Sequence, residues 1–206
     1  MKGSIHPLLY EVFVMRRIAW TIGIGGLVAA WFAVARAGDE AAPKPARTPD
    51  CVYVGTPQDV VYRMIELAEI RKGDLVCDPG CGDGRLLIAA ARRHECRGIG
   101  YELDPKLAQE ARQIARERGV AQYVKFEEED IFTVDYSEAD VIVAYLLPEM
   151  ITRLVPAFEK MKPGSRIVAH DYPMANIAPE QVVTMTSNED NVEHTIYVYR
   201  TPLKPE

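Results

Sequence analysis

Leu75-Val76-Cys77-Asp78-Pro79-Gly80-Cys81-Gly82-Asp83-Gly84 carries more information about the fold than any other run in the chain. Its first three residues are apolar, as in a buried strand, and a carboxylate, Asp78, closes the run. Gly80, Gly82 and Gly84 then recur at every second position. Glycine reaches φ > 0 at little cost and carries no Cβ, so such a turn lets a ligand lie against bare backbone. The residues that follow, Arg85-Leu86-Leu87-Ile88-Ala89-Ala90-Ala91-Arg92, have helical composition. A strand thus feeds a helix through a glycine loop, as at the nucleotide-type sites of open α/β sheets.

The spacing selects among nucleotide-type ligands. A dinucleotide fingerprint needs Gly-x-Gly-x-x-Gly/Ala. Counted from Gly80 and Gly82, its third small residue falls on Arg85. A phosphate loop needs Gly-Lys-Ser/Thr, and the stretch has none. What stands here, Asp-x-Gly-x-Gly-x-Gly, resembles motif I of the class I S-adenosylmethionine (SAM) methyltransferases. That resemblance implies a Rossmann-like seven-stranded α/β sheet with helices on both faces. It also implies SAM as methyl donor, with Gly80, Gly82 and Gly84 giving room to its methionine end and Asp78 supporting its ammonium or the water shell around it.

Two further acids agree with this. Arg97-Gly98-Ile99-Gly100-Tyr101-Glu102 reads as a short strand ending in a carboxylate, and Glu102 lies 24 residues after Asp78. An acid at roughly 20 residues meets ribose hydroxyls in nucleotide folds, and its two oxygens can accept from both hydroxyls. Glu127-Glu128-Glu129-Asp130-Ile131 follows the strand-like Tyr123-Val124-Lys125-Phe126. The resemblance assigns Asp130 to the adenine amine and Ile131 to the face of the ring.

Outward from the loop, strands and helices alternate, which implies a parallel sheet with helices on both faces. Thr56-Pro57-Gln58-Asp59 predicts a helix start, with Thr56 as N-cap and Pro57 in the first turn. Strands are expected at 75–78, 98–102, 123–127, 139–145 and 166–171, and helices at 85–93, 105–118 and 149–160. Gln181–Ser187 and Glu193–Arg200 read as a terminal antiparallel hairpin, with the last strand inside the sheet edge.

The reacting centre belongs at the carboxyl ends of the strands. The fourth strand ends at Tyr145-Leu146-Leu147-Pro148. Asn/Asp-Pro-Pro-Tyr/Phe, which marks methylation of base amines or glutamine amides in related families, is absent there. Tyr145 is therefore a candidate wall of the methyl-transfer channel. His170, at the end of the fifth strand, is a candidate base or orienting group.

Tyr53-Val54-Gly55-Thr56-Pro57, Gly80-Cys81-Gly82-Asp83-Gly84-Arg85, Gly100-Tyr101-Glu102-Leu103-Asp104-Pro105 and Tyr145-Leu146-Leu147-Pro148 extend the resemblance. Together they are similar to bacterial SAM-dependent methyltransferases of undefined substrate. They are similar also to the mitochondrial protein-lysine methyltransferases of the ATP synthase c subunit and the adenine nucleotide translocase. This implies that Tyr53 and Thr56 close over SAM and that the acceptor is a protein lysine. A small-molecule acceptor, or a fold retained for binding only, are the alternatives. After the fifth strand the mitochondrial enzymes have aromatic-rich segments, whereas this chain has Tyr172-Pro173-Met174-Ala175-Asn176.

Composition narrows the partners. Four bases and one acid lie in the first 37 residues, so residues 38–206 keep 20 bases against 29 acids, a net charge of −9. Nucleic-acid affinity comes mainly from neutralising phosphates with cations, so nucleic acid is not an expected partner. Cys51, Cys77, Cys81 and Cys96 include no Cys-x-x-Cys pair and have no His nearby at zinc-ligand spacing, so no metal is expected.

Residues 1–37 form a separate segment. Ile18 to Ala35 is an uncharged run of 18 residues between Arg16-Arg17 and Arg36. As a helix it would span about 27 Å, enough for a bilayer core. It reads as a hydrophobic anchor helix that holds a cytosolic catalytic domain at a membrane. The alternative is a signal peptide cleaved near Ala37, after Ala35-Arg36-Ala37, with Met15 as a possible start. SAM is a cytosolic metabolite, which favours the anchor. Residues 38–51 read as a Pro- and Ala-rich tether, and 52–206 as the methyltransferase domain.

Overall fold

The computed structural model describes residue 48 and residues 51–206. The expected anchor at 18–35 and nearly all of the tether lie outside the described residues. Among the described residues, no helix is long and apolar enough to cross a membrane.

The chain runs α1 (Gln58–Leu67), β1 (Leu75–Pro79), α2 (Arg85–His94), β2 (Arg97–Tyr101), α3 (Pro105–Glu117), β3 (Val124–Glu127), β4 (Val141–Ala144), α4 (Pro148–Phe158), β5 (Arg166–His170), β6 (Gln181–Thr186) and β7 (Glu193–Arg200). The strands form one seven-stranded sheet in the order β3-β2-β1-β4-β5-β7-β6. The first five are parallel. β7 runs antiparallel to both β5 and β6, so the last strand is inserted inside the edge, as the sequence predicts.

Alternation along the strands builds two cores. Val76, Val141, Val143 and Val168 face a cluster with the apolar sides of α1, α2 and α3. Their neighbours Cys77, Ile142, Ile167 and Ala169 face the opposite way, onto Ile151, Leu154 and Phe158 of α4. A sheet covered on both faces needs strands that are apolar throughout, and β4 and β5 are buried at every residue. β6 lies at the edge and alternates between exposed and half-buried positions along most of its length.

One local expectation is corrected. Thr56 does not cap α1: Pro57 holds the N-cap position, and no side chain caps it. The Thr56 hydroxyl instead lies 3.2 Å from His170 Nδ1, across the sheet end. A buried tertiary partner has taken the hydroxyl from the local one. α3, by contrast, starts as a side-chain-capped helix, with Asp104 accepting from the Lys106 N–H and Pro105 in the first turn.

Candidate active site

The strand order reverses between β1 and β4, and a crevice opens beyond the strand ends at that point. There a cavity of about 540 Å³ is lined on one side by Asp78, Gly80, Glu102, Asp130 and Ile131. Tyr53, Thr56, Tyr145 and Tyr172 line its other parts. The volume falls in the range of small-molecule sites.

The glycine loop takes its shape from β2. The Gly80 and Cys81 N–H groups both donate to the Tyr101 carbonyl, at 2.8 and 3.1 Å. Gly82 adopts a φ of 54° and Gly84 one of 76°, in the left-handed region where side chains are strained. Space forbids a side chain as well. A Cβ on Gly82 would run into the Tyr53 ring, and one on Gly84 would lie 2.5 Å from Phe126. The close neighbour of Gly82 is thus an aromatic ring of this chain, laid over the loop from residue 53.

Glu102 ties the loop to the next helix. Its Oε2 accepts from the Gly82 N–H and its Oε1 from the Asp104 N–H, each at 2.9 Å. A carboxylate oxygen has two lone pairs, so each oxygen keeps acceptor capacity toward the cavity. Asp130 is fixed similarly, with Oδ1 accepting from the Phe132 N–H at 3.0 Å. Ile131 is buried beside it, and the Ile131 carbonyl accepts from the Tyr136 hydroxyl.

Asp78 is different. It is 1% exposed, and its Oδ2 has no hydrogen-bond partner among the described residues. Burial first, then the charges of Asp83 and Glu102, push its carboxyl well above the usual range. A buried acceptor without a donor costs about 1–3 kcal/mol, and a bound cation would remove that cost. A cationic group at the end of β1 would suit this oxygen. This orphaned oxygen and the bare glycine loop fit the ammonium end of SAM.

Asp83 and Arg85 form a clamp that the sequence motif does not reveal. Arg85 donates to both Asp83 oxygens, through Nε at 3.0 Å and Nη2 at 2.7 Å. Its Nη1 donates to the Thr56 carbonyl at 2.7 Å. Burial works to raise the Asp83 carboxyl, but the Arg85 bonds prevail and hold it below the ordinary value. Through the Thr56 carbonyl this pair holds the segment before α1, whose Tyr53 ring lies over Gly82. In the sequence, Arg85 served only to exclude a dinucleotide. Its spacing to Thr56 carries no local signal, because the contact joins separate parts of the chain.

Tyr145 lines the cavity at the end of β4. Its ring centroid lies 4.1 Å from that of His170 and 6.3 Å from that of Tyr172, nearly parallel to the latter at 14°. Burial raises the Tyr145 phenol, so it stays protonated. His170 does not line the cavity. It is buried behind Tyr145, with Nδ1 at Thr56 and Nε2 3.0 Å from His194 Nδ1. Burial lowers its pKa to about 4, which leaves the imidazole neutral at physiological pH. Sequence reasoning placed His170 at the strand end correctly but had no signal for its two partners, and it missed Tyr172 as a wall.

Comparison with known proteins agrees with this geometry. A family model described as the ANTKMT methyltransferase domain matches residues 78–181, half of the chain. A protein-lysine N-methyltransferase of Saccharolobus islandicus is 36% identical over 153 residues, covering 73% of this chain and 94% of that protein. The human lysine N-methyltransferase of the ATP synthase c subunit is 29% identical over 180 residues, covering 86% and 76%. A crystal structure described as an RNA methyltransferase from Salinibacter ruber, bound to S-adenosyl-L-homocysteine, is 43% identical. It superposes with a TM-score of 0.67 over 74% of this chain and 97% of that one.

Proposed function

Because this chain belongs to the ANTKMT methyltransferase domain family and is a SAM-dependent methyltransferase, we propose that its acceptor is a protein lysine side chain. The single observation that carries the donor side is the unpartnered, buried Asp78 oxygen. The cavity is lined also by Glu102, Asp104 and Asp130, and the charges of Asp83 and Glu102 act on Asp78. In this reading Asp78 takes the methionine ammonium and Glu102 the ribose hydroxyls. Asp130 takes the adenine amine and Ile131 packs on the ring. Gly80, Gly82 and Gly84 give the backbone approach, and Tyr53 and Thr56 cover the donor.

When bound, SAM supplies a methyl carbon on a sulfonium, which an amine attacks in line while the C–S bond pair stays on sulfur. The chain's own contribution is mostly positioning and exclusion of water. Tyr145 and Tyr172 present aromatic faces where the acceptor enters, and such faces attract an ammonium. Burying that ammonium lowers its pKa, so lysine sheds a proton to solvent and enters as the neutral amine. The protonated Tyr145 phenol can orient the amine by hydrogen bonding. His170 contributes by holding Tyr145 and Thr56 in place and has no direct route to the substrate.

The names of the Saccharolobus and human relatives support lysine, and the acidic domain fits it. The description of the Salinibacter relative makes RNA the competing acceptor. Incubating the full-length chain with methyl-labelled SAM and a cell lysate separates them. Label that survives nuclease, is lost with protease and appears as methyl-lysine by mass spectrometry supports this reading. Label that follows RNA, or a small-molecule fraction, overturns it. The same reading places the enzyme at a membrane through residues 18–35, facing the cytosol. Membrane fractionation with and without residues 1–37 tests that part.

A further inference from the structure

Behind Tyr145, three side chains converge on one point. His170 Nε2, His194 Nδ1 and one Asp171 oxygen, Oδ2, form a triangle with edges of 3.0, 3.1 and 3.4 Å. All lie well inside the separation that allows one ion to be shared. We propose that this triangle is a binding site for a divalent first-row transition ion of the zinc type.

The edges are the first argument. Metal bonds of about 2.0–2.1 Å at tetrahedral angles set ligand atoms roughly 3.4 Å apart, within a few tenths of an ångström of those found. Two imidazoles and one carboxylate suit borderline ions such as zinc, and three protein ligands leave a fourth position open.

The outer contacts are the second argument. In metal sites the far nitrogen of each ligating His is held by a hydroxyl, carboxylate or carbonyl. Here His170 Nδ1 is held by the Thr56 hydroxyl at 3.2 Å, and His194 Nε2 by Asp190 at 3.2 Å. The remaining Asp171 oxygen, Oδ1, accepts from the Thr195 N–H at 2.9 Å. Each ligand thus turns one atom inward and has the other fixed. Asp171 reaches this pose from a φ of 60°, a conformation that Asp tolerates better than most residues.

Both imidazoles are free to turn a lone pair inward, because each has an oxygen beside its other nitrogen to take the ring proton. A cation would satisfy all three lone pairs. Asp171 and Asp190 are partly exposed, so an ion has a way in. Once bound it would brace the end of β5 against β7, directly beneath Tyr145 and Thr56. Cysteine pairs are the metal signal that the sequence offers for inspection, and it has none; these ligands lie 24 residues apart on neighbouring strands.

The test uses untagged full-length protein, stripped with a chelator, loaded with zinc and freed of excess by gel filtration. Metal counting by mass spectrometry should find about one zinc per chain in the wild type and under about a tenth in His194→Gln and Asp171→Asn. His94→Gln, remote from the triangle, should load fully. Circular dichroism and thermal unfolding verify that each variant is folded, and this keeps the outcome separate from the donor-site reading. Less than about a tenth of a zinc in the wild type, or equal loading in all variants, would overturn the site.

Discussion

The two halves of the sheet meet the same cavity with different materials. On the β1–β2–β3 side the wall is backbone and carboxylate: the glycine loop, Asp78, Glu102 and Asp130. On the β4–β5–β7 side it is aromatic, with Tyr145 backed by His170 and faced by Tyr172. The first half sets the charges of Asp83 and Glu102 around the buried Asp78 carboxyl. The second keeps Tyr145 protonated at the cavity and His170 neutral behind it, the one raised and the other lowered by burial. A fixed cationic donor suits the first, and an amine that must lose its proton suits the second. Donor and acceptor recognition are therefore separable in this fold, and variants should show it.

The largest effect is expected at Glu102. Glu102→Ala removes the partner of the Gly82 and Asp104 N–H groups together with the proposed ribose acceptor. Two or more charge-assisted bonds are lost, so SAM affinity measured by calorimetry should fall about 100-fold or more. On the other side, Tyr145→Ala should lower kcat roughly 30-fold while leaving the KM for SAM within about threefold. An equal loss in SAM affinity would erase the division between the halves.

A smaller effect is expected where the clamp crosses the site. Arg85→Gln frees residues 53–56 from the Asp83 pair. The KM for SAM should rise about tenfold, since the segment must then be ordered on binding. The smallest effect is on stability and has the opposite sign. Asp78 has a raised pKa, so above the ordinary carboxylate range the folded chain holds a proton that the unfolded chain has released. SAM-free stability should therefore decline as pH rises from the ordinary Asp value through the raised one. Asp78→Asn should remove that slope and stabilise the SAM-free protein by about 1 kcal/mol at neutral pH, measured by denaturant titration.

The same contrast sets what is legible in the sequence. The donor half could be read because its chemistry is local. Asp78 and three glycines stand within seven residues, and the strand–loop–helix context sets their place at the sheet end. Glu102 and Asp130 follow because parallel strands bring successive strand ends to one edge. The inserted β7 could also be read, since its alternation and length match a hairpin. The acceptor half could not be read in this way. Tyr145 was placed by its strand end, but Tyr172 faces it from beyond β5, and His170 is held by Thr56 and His194, which are 114 and 24 residues away. Thr56 shows where local reasoning fails: a good N-cap residue next to a proline was drawn instead into a buried tertiary bond.

Everything on the donor side turns on whether the carboxylate at the end of β1 receives the ammonium of SAM. Calorimetric titration of wild type and Asp78→Asn with SAM and with 5′-methylthioadenosine, which lacks the amino-acid end, decides this. Asp78→Asn should weaken SAM about 10- to 100-fold and leave methylthioadenosine within about twofold. Equal losses for both ligands, or none for SAM, would refute an ammonium contact at Asp78.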